Sequence, residues 1–368
     1  MARWNLRSLT KVDWLLFGAS TILVLFGLIA LASVTIAKSP PEWGTFTRQL
    51  TFLALGVVLY VIAVLVDYRT LRGWSTAAYV TAAILLIGVL FFGTTIRNTT
   101  GWFVFAGVSF QPVEIVKVLW IIAFAAYLSR YARAFDQWRH LAISGAFALG
   151  LIVLILRQPD LGSAVVVAGI YVGLLLTANV RAKQLVLLLV LFIIAAVVSY
   201  MFLLQGYQKD RIRVLVNPTA DPLKSGYNVK QAIIAVGSGQ LFGRGFGQGT
   251  QSQLNFLPEQ QTDFIFAVLA EEFGFIGVLV LLGSFGVVLM RTVVIARQSR
   301  DDFGAFLCTG ISIGIAIHLL INVGMNMGLL PVTGIPLPFV SSGGSSLVAS
   351  IIGLGLVQSV AVRRRSTG

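Results

Sequence analysis

Long runs of uncharged, apolar residues recur along almost the whole chain. A bilayer core about 30 Å thick is crossed by roughly 20 helical residues. The runs that reach or approach this length are Trp14–Ala37, Gln49–Val66, Gly73–Ile96, Leu141–Leu156, Leu161–Val180, Gln184–Gln208 and Phe273–Met290. The stretch from Phe303 to Val362 contains no Asp, Glu, Lys or Arg and is long enough for two more. With a mean hydropathy of +0.89 and only 11% charged residues, the chain is predicted to lie in a membrane rather than in water.

A tenth span is needed near Val118–Ser129, which is too short to cross unless the helix also includes Glu114 and Lys117. These two residues lie three positions apart, so on a helix they share a face and can neutralise one another. An ion pair that lets the helix enter the membrane is the preferred interpretation, and direct catalysis is the alternative. The sequence therefore predicts a single-domain, all-α polytopic membrane protein with about ten transmembrane helices.

The distribution of Lys and Arg sets the predicted orientation. If both termini are cytoplasmic, sixteen of the 27 Lys and Arg residues fall on the inner side and ten on the outer side. The net charge of +13 is then explained mainly by anchoring to anionic lipid, and no nucleic-acid partner is implied.

A large extracytoplasmic loop, at about residues 208–262 between helices 7 and 8, departs from this rule. It contains six of the outer basic residues, namely Lys209, Arg211, Arg213, Lys224, Lys230 and Arg244. Basic residues are normally depleted on the outer side, so the cluster favours an anionic ligand such as a phosphate or diphosphate. The alternative is a long, solvated loop that is exempt from the rule. Closely spaced glycines at 237–249 would let the backbone approach a ligand, although a flexible linker would have the same composition.

This loop runs into the eighth span at Asp263, which places a carboxylate where a helix leaves the membrane. There it can meet a water-soluble headgroup whose anchor stays in lipid. A helix from Asp263 to Met290 would be about 42 Å long, so its first part lies at the outer interface, with Glu271 and Glu272 near its depth limit. Carboxylates at that depth need a cavity or a partner. The alternative interpretation of this junction is structural: Thr262 or Asp263 would cap the helix, or the Asp263 charge would interact favourably with the helix dipole.

The uncharged segment at about 328–346 is rich in Gly, Pro and Ser but too apolar for an ordinary external loop. We expect it to dip into the membrane as a re-entrant loop and to wall a cleft on the outer side, because irregular backbone at that depth must line a cavity or be buried. His318 in the ninth span is interpreted as structural. Asp160 follows the fifth span and can cap the sixth.

Five segments together resemble one family over nearly the whole chain. They are GVSFQPVEIVKV at 107–118, QPDLGS at 158–163, NPTADPLKSGYNVKQAIIAVGSG at 217–239, GTQSQLNFLPEQQTDFIFAVLAEEFG at 249–274 and NMGLLPVTGIPLPFVSSGGSS at 326–346. The family is that of the SEDS proteins (shape, elongation, division and sporulation), the bacterial peptidoglycan glycosyltransferases. GYNV and GTQSQLNFLPE are more similar to the elongation branch, RodA, than to the division branch, FtsW. The chain departs from the family at Gln261, where His is usual before Thr-Asp, at Val113, where Ser is common, and before Trp102, where an Arg is often found.

The resemblance implies polymerisation of lipid II, a disaccharide-pentapeptide on undecaprenyl diphosphate, at the outer face of the bacterial cytoplasmic membrane during cell elongation. In that reaction Asp263 would act as the general base. The outer-loop Lys and Arg residues would stabilise the leaving diphosphate, with Mg²⁺ or Mn²⁺ as a candidate cofactor. An α-linked donor and a β-linked product imply inversion by a single displacement.

The resemblance also implies further site residues and partners. Further candidates are Glu259, Ser341 and Ser342 for the headgroup, the ion pair Glu114 and Lys117, and Asp160, Glu271 and Glu272. The implied partners are lipid II, the growing lipid-linked glycan, a class B penicillin-binding protein that acts as transpeptidase, and other membrane proteins of the elongation complex.

Two other functions remain open at this point. A lipid II flippase should carry polar or charged groups through the midplane, and only Glu114, Glu271 and Glu272 are predicted to lie deep among the acids. A noncatalytic membrane scaffold that activates a transpeptidase is also compatible with the apolar composition.

Overall fold

The structure is a computed structural model that describes residues 12–36, 43–96, 99–105, 108–131, 134–135, 137–178, 180–203, 206–216, 225–254 and 256–364. Within these ranges the helices are α1 (Trp14–Ile36), α2 (Gly44–Leu65), α3 (Tyr68–Gly73), α4 (Ser75–Phe92), α5 (Pro112–Tyr131), α6 (Trp138–Leu156), α7 (Leu161–Thr177), α8 (Ala182–Val198, continued by a π-helical turn, Ser199–Leu203), α9 (Gly206–Val216), α10 (Ser225–Ser238), α11 (Thr250–Gln253), α12 (Ile265–Arg297), α13 (Asp302–Asn326) and α14 (Gly344–Val362).

The predicted membrane spans are confirmed. In the described part of the chain, nine helices are long and apolar enough to cross a bilayer. The apolar helix α7 has 17 residues and a length of about 26 Å, and it completes the predicted set of ten. Helix α5 includes Glu114 and Lys117, as its length required. We call the end of the bundle that holds Asp263 the outer end, after the predicted orientation.

The spans differ strongly in how much of their surface is covered by protein. In the most apolar stretch of α14, 89% of the residues are buried inside the protein. The reason is that this helix packs along α2 and also contacts α5 and α13. Gly355 allows the close approach to α2, since a Cβ at this position would lie 3.0 Å from the carbonyl oxygen of Tyr60. By contrast, in the most apolar stretch of α8 none of the described residues is buried. This helix therefore exposes its apolar side chains to lipid.

Three short strands, which the sequence reasoning did not predict, lie between α4 and α5. They are β1 (Thr94–Ile96), β2 (Thr99–Phe105) and β3 (Val108–Phe110), and they pair antiparallel in the order β1-β2-β3. Phe103 of β2 packs near Gly88 of α4, so the sheet folds back along that helix.

The segment between α13 and α14 enters the bundle, which agrees with the predicted re-entrant loop. Ile335, Leu337, Phe339 and Val340 are all at most 2% exposed. The backbone of Val340 lies against Gly27 of α1, where a Cβ would be only 2.4 Å from the Val340 carbonyl oxygen. Gly27 is nine residues from the end of α1, so the loop reaches about 13 Å below that end.

The glycine-rich run of the outer segment packs on a helix rather than forming an open loop. Helix α12 is broken at Gly274, which has φ 63° and ψ −164°. The residues 239–245, here called the glycine clasp, supply the hydrogen bonds that this break removes. The bonds are Arg244 N–H to Glu271 O (2.9 Å), Gly245 N–H to Glu272 O (3.0 Å), Phe275 N–H to Gln240 O (2.8 Å) and Ile276 N–H to Leu241 O (3.1 Å).

The glycines of the clasp are required by this close contact. A Cβ on Gly239 would lie 1.9 Å from the Ala270 carbonyl oxygen, and a Cβ on Gly243 would lie 2.0 Å from that of Glu272. Gly243 also has φ +81°, which side chains disfavour. Gly239 and Gly243 are therefore explained by packing against α12, and the approach of this backbone to a ligand stays a prediction.

Charged residues fasten the opposite end of the bundle. The Asp13 carboxylate accepts hydrogen bonds from Arg291 (3.1 and 2.5 Å) and from Arg364 (3.3 Å). Burial by itself would raise the pKa of Asp13, but the hydrogen bonds and charges of these arginines outweigh it and hold the pKa below its usual value. The N-terminal end of α1 is thereby tied to α12 and to the chain that follows α14.

Candidate functional site

Asp263 lies in a tight turn immediately before α12. The N–H groups of Thr262, Asp263 and Phe264 all point to the Glu259 carbonyl oxygen, at 3.1 to 3.3 Å. Phe264 occupies the N-cap position of α12. The N-cap position of α12 is therefore occupied by neither Thr262 nor Asp263, and the half-buried Asp263 side chain belongs to the turn that precedes the helix. A favourable interaction of its charge with the helix dipole stays a prediction.

Two asparagines of α13 fix the backbone of this turn. The Asp263 carbonyl oxygen accepts hydrogen bonds from Asn322 Nδ2 (3.1 Å) and Asn326 Nδ2 (2.9 Å). Asn326 Oδ1 also accepts from the N–H of Ala267 in the first turn of α12 (3.2 Å). Both asparagines are fully buried. The sequence reasoning missed them, although two amides four positions apart in an uncharged span share a helix face and were a usable signal.

The re-entrant loop closes over the same turn. The Ser341 hydroxyl donates to the Thr262 carbonyl oxygen (2.6 Å) and accepts from the Leu337 N–H (2.8 Å). The Ser342 N–H donates to the Gln261 carbonyl oxygen (2.8 Å). Ser341 is only 3% exposed, so its hydroxyl is engaged within the protein and positions the turn.

Gln49 of α2 braces the loop from its other side. Its amide donates to the Ser341 carbonyl oxygen (3.3 Å) and accepts from the Gly343 N–H (3.3 Å). The turn that contains Asp263 is therefore held by residues from α2, α13 and the re-entrant loop.

A cavity of about 270 Å³, here called the outer cavity, lies at the same end of the bundle as Asp263, although Asp263 is not among the residues that line it. Its walls come from the start of α7, from α9, from Thr99 and Ile321, and from the re-entrant loop at Leu330, Pro331, Val332 and Thr333. Gly334 follows these wall residues and adjoins the carboxylate, because a Cβ on Gly334 would lie 3.6 Å from Asp263 Oδ2. Its φ of +75° explains why glycine suits this turn.

The outer cavity is largely apolar and has one basic and one acidic lining residue. Arg211 of α9 lies with its guanidinium carbon 5.6 Å from the ring centre of Tyr207. Asp160 faces it from the start of α7. An apolar cleft with one cation and one acid fits a ligand that is part lipid and part anion.

Asp160 caps α7, as predicted. Its Oδ1 accepts from the Ser163 N–H (2.9 Å), and its Oδ2 accepts from the Gln111 amide (3.3 Å). Burial raises the pKa of the Asp160 carboxyl, and the hydrogen bond from Ser163 opposes that shift.

A divalent cation would find few protein ligands here. The described residues include no group of three or more His, Cys, Asp or Glu that could hold a metal ion. Mg²⁺ is often held by one or two carboxylates together with substrate phosphates. Asp160, which lines the outer cavity, is the residue that would hold such a cation with a bound diphosphate.

The predicted ion pair in α5 forms and extends to the re-entrant loop. Lys117 Nζ donates to Glu114 Oε1 (2.8 Å) and lies 3.1 Å from His318 Nε2. His318 Nδ1 lies 3.2 Å from the Pro336 carbonyl oxygen. A neutral imidazole satisfies both contacts if Nδ1 donates to Pro336 and Nε2 accepts from the ammonium group. The pair is buried, and His318, interpreted from sequence as structural, connects it to the loop that holds Asp263.

Glu271 and Glu272 are buried against protein partners rather than in the outer cavity. The Glu271 carboxylate accepts from the N–H groups of Gln251 (2.8 Å) and Ser252 (3.1 Å) at the start of α11. Glu272 accepts from the Ser33 hydroxyl of α1. Glu271 therefore joins α11 to α12, and Glu272 joins α1 to α12.

Of the six basic residues predicted to bind an anion, the five that the structure describes do not gather at one point. Arg211 lines the outer cavity. Lys209 donates to the Met201 carbonyl oxygen (3.3 Å), and Arg213 pairs with Asp210 (3.4 Å). Arg244 belongs to the glycine clasp, where its Nε donates to the Ser238 carbonyl oxygen (3.1 Å). Lys230 is exposed on α10, and Lys224 lies outside the described residues.

Glu259 is exposed at the start of the Asp263 turn and has φ +53°. Its carboxylate accepts from the Thr262 hydroxyl (3.3 Å). Ser342, which is half-buried, contributes its N–H to the turn. Roles for Glu259 and Ser342 in binding a headgroup stay predictions.

The family model FTSW_RODA_SPOVE, described as "Cell cycle protein", matches residues 13–366. The chain is 36% identical over 351 residues to "Peptidoglycan glycosyltransferase MrdB" of Escherichia coli strain K12, covering 94% of this chain and 93% of that protein. It is 37% identical over 361 residues to "Stage V sporulation protein E" of Bacillus subtilis, covering 95% and 97%.

Two solved structures have a similar fold. One belongs to work described as "Structural coordination of polymerization and crosslinking by a peptidoglycan synthase complex", with a TM-score of 0.82, 30% identity and coverage of 96% of this chain and 99% of that chain. The other is the rod shape determining protein RodA of Thermus thermophilus, with a TM-score of 0.72, 29% identity and coverage of 96% and 98%.

Proposed function

This chain belongs to the FtsW, RodA and SpoVE family, and we propose that it is a peptidoglycan glycosyltransferase that polymerises lipid II into glycan strands during cell elongation. The names of its relatives support this activity, since MrdB is called a peptidoglycan glycosyltransferase. The observation that carries the proposal is the position of the Asp263 carboxylate, on a turn whose carbonyl oxygen accepts hydrogen bonds from two buried asparagines. The carboxylate adjoins Gly334, which directly follows the wall residue Thr333 of the cavity that Arg211 also lines.

Asp263 is the general base. The hydroxyl oxygen of the acceptor sugar attacks the anomeric carbon of the donor, and the bond from that carbon to the diphosphate oxygen breaks. The proton of the attacking hydroxyl passes to the Asp263 carboxylate, which must lie within hydrogen-bond reach of it. One displacement inverts the anomeric centre, so no covalent intermediate on the protein is needed.

The outer cavity receives the leaving group. The diphosphate gains negative charge as the bond breaks, and the fixed charge of Arg211 stabilises that charge in a cavity with mostly apolar walls. Those walls, from Leu161, Val165 and Ile212, suit the first isoprene units of the lipid. Lys209, Arg213 and Lys230 lie at the outer surface, where they attract the anionic substrate before it docks.

Tethering of the turn is what makes the base effective. A misplacement of about 1 Å can cost roughly 10²-fold in rate, so a catalytic carboxylate benefits from a rigid backbone. Asn322, Asn326 and Ser341 supply that rigidity, and they are positioning residues that do not touch the reacting atoms.

The cellular setting follows from the same family. We place the protein in the bacterial cytoplasmic membrane with the Asp263 end facing outwards, where a polymer destined for the wall is needed. A class B penicillin-binding protein is the proposed partner, supported by the similar chain from a peptidoglycan synthase complex. That pairing would couple strand synthesis to crosslinking.

The test is polymerisation of labelled lipid II by the purified full-length protein with its transpeptidase partner. Wild type should give glycan chains and Asp263→Ala none. Asp210→Asn, which removes an exposed acid on α9 that pairs with Arg213, is the matched control and should polymerise normally. Wild-type rates from Asp263→Ala would overturn the proposal.

The alternative function, that of a lipid II flippase, can be excluded with the same purified protein. It predicts translocation of the headgroup across liposomes that survives the loss of Asp263. In the described structure the deep acids Glu114, Glu271 and Glu272 are each held by protein groups, which favours the enzyme over a polar path through the membrane. A noncatalytic scaffold predicts that the complex still polymerises lipid II at the wild-type rate when a folded chain carries Asp263→Ala.

A further inference from the structure

A second cavity, of about 150 Å³, lies at the end of the bundle opposite to Asp263 and plays no part in the proposed reaction. We call it the inner cavity. It lies between the first turn of α4, the second half of α5 and the first half of α6. Arg130 at its mouth is 18 residues, or about 27 Å, from Pro112 at the outer end of α5.

Aromatic side chains form the walls of the inner cavity. The rings of Trp120 and Phe124 stack with centroids 5.1 Å apart and planes 3° apart. Tyr79 meets Phe147 edge to face at 5.0 Å, and the Tyr79 hydroxyl donates to the Phe147 carbonyl oxygen (3.0 Å). This network keeps the space between α4, α5 and α6 apolar and preformed.

The depth of the inner cavity matches one leaflet. Trp120 lies ten residues from Arg130 along α5, which is about 15 Å. Half of a bilayer core about 30 Å thick is the same distance. Trp74 and Trp138 are exposed where α4 and α6 begin, and exposed Trp residues mark the boundary between hydrocarbon and water. The cavity therefore runs from that boundary towards the middle of the membrane.

The mouth of the inner cavity is polar and basic. Arg130 is exposed in the last turn of α5, next to the hydroxyl-bearing residues Ser75 and Thr76 of α4. Arg139, in the first turn of α6, is also exposed. Phe147 and Tyr131, both at least 40% exposed, leave the side of the cavity open towards lipid.

We propose that the inner cavity binds an anionic glycerophospholipid, with one acyl chain between α4, α5 and α6 and the phosphate at Arg130. An acyl chain fits an apolar slot one leaflet deep, whereas a soluble ligand would need polar groups along it. The basic mouth at the membrane boundary selects an anionic headgroup over a zwitterionic one. A bound lipid of this kind fills the gap between the three helices and stabilises their packing.

Native mass spectrometry of the detergent-purified full-length protein tests this site. The probes are phosphatidylglycerol and phosphatidylcholine with identical acyl chains, and glycerol phosphate as the soluble headgroup. Wild type should retain at least about five times more phosphatidylglycerol than phosphatidylcholine, a ratio that corresponds to about 1 kcal/mol. Glycerol phosphate should not compete.

Three variants locate the binding. Arg130→Gln should abolish the preference for the anionic lipid, and Ala123→Phe, which fills the slot, should abolish retention of both lipids. Arg297→Gln removes an exposed arginine in the last turn of α12, at the same end of the bundle but outside the cavity, and should behave like wild type. Equal retention of both lipids by wild type, wild-type preference in Arg130→Gln, or displacement by glycerol phosphate would each overturn the proposal. Arg130→Gln changes only an exposed side chain, so the test does not depend on Ala123→Phe folding.

Discussion

Loosening the backbone of Asp263 should slow catalysis without removing any group that reacts. Asn326→Ala deletes the 2.9 Å hydrogen bond to the Asp263 carbonyl oxygen and leaves the Ala267 N–H without its 3.2 Å acceptor. Asn322 still donates to Asp263 at 3.1 Å, so a single substitution removes one of two tethers. The double variant Asn322→Ala/Asn326→Ala removes both.

The size of each effect follows from these contacts. A buried N–H that loses its partner costs about 1–3 kcal/mol, and a lost neutral hydrogen bond costs about 1 kcal/mol. We therefore expect Asn326→Ala to lower the free energy of unfolding by about 2–4 kcal/mol. Since a misplacement of about 1 Å costs roughly 10²-fold in rate, we expect a kcat about 10-fold lower in the single variant and about 10²-fold lower in the double variant.

The assay is the initial rate of lipid II polymerisation over a range of substrate concentrations, together with thermal unfolding of each variant. Positioning of the base predicts a loss in kcat with KM nearly unchanged. Gln358→Leu is the matched control, because Gln358 is a buried amide on α14 whose polar atoms have no hydrogen-bond partner among the described residues. It should leave kcat unchanged. A double variant that is folded and retains wild-type kcat would refute the role of the two asparagines.

Three further predictions concern stability, measured by thermal unfolding in detergent. Gly243→Ala should lower the free energy of unfolding by about 1–3 kcal/mol or more, because the position combines a φ of +81° with a steric clash. Gly237→Ala in α10 should be neutral or stabilising, because a Cβ there meets nothing within 4 Å. Equal effects of the two would contradict the clasp. Lys117→Met should lower the free energy of unfolding by about 3–5 kcal/mol, because it leaves the Glu114 carboxylate buried and unpaired. Adding Glu114→Leu to the same chain should restore most of that stability. If it restores none, the broken ion pair is not the cause of the loss. Asp13→Asn should lower stability at pH 7, because the pKa of Asp13 in the folded protein is below its ordinary value of 3.8, and its contribution is present above that value and lost as pH falls through the folded pKa. A stability difference that does not shrink as the pH falls below 3.8 would contradict this.

The features that the sequence predicted correctly are those governed by local patterns. Hydropathy over some twenty residues located the spans, and the spacing of three between Glu114 and Lys117 predicted their ion pair. The N-cap role of Asp160 also depends only on residues next to it. Each of these three features can be predicted without knowing which helices are neighbours.

The features that were missed depend on contacts distant in sequence. The glycine clasp pairs residues 239–245 with the break in α12, and nothing in a glycine run distinguishes that from a ligand loop or a linker. The tethers from Asn322 and Asn326 reach Asp263 across about sixty positions. Without tertiary contacts, an asparagine in an apolar helix has no assigned partner.

The prediction of a basic cluster in the outer loop also failed for lack of tertiary information. The sequence grouped six Lys and Arg residues because they share one loop, but the fold distributes the five described ones over α9, α10 and the clasp. On α9 the cavity face carries Tyr207, Gln208, Arg211 and Ile212, so helical periodicity separates Arg211 from Lys209 and Arg213. The sequence reasoning treated this segment as a loop and therefore could not apply that periodicity.

The general-base role of Asp263 is tested most directly by measuring kcat and KM for lipid II polymerisation by Asp263→Asn, which keeps the shape of the side chain but cannot accept the proton. A general base contributes about 10²–10⁴-fold, so kcat should fall by at least about 10²-fold while KM stays within about 3-fold of wild type. Retention of wild-type kcat by a folded Asp263→Asn protein, or a loss that lies wholly in KM, would contradict the assignment.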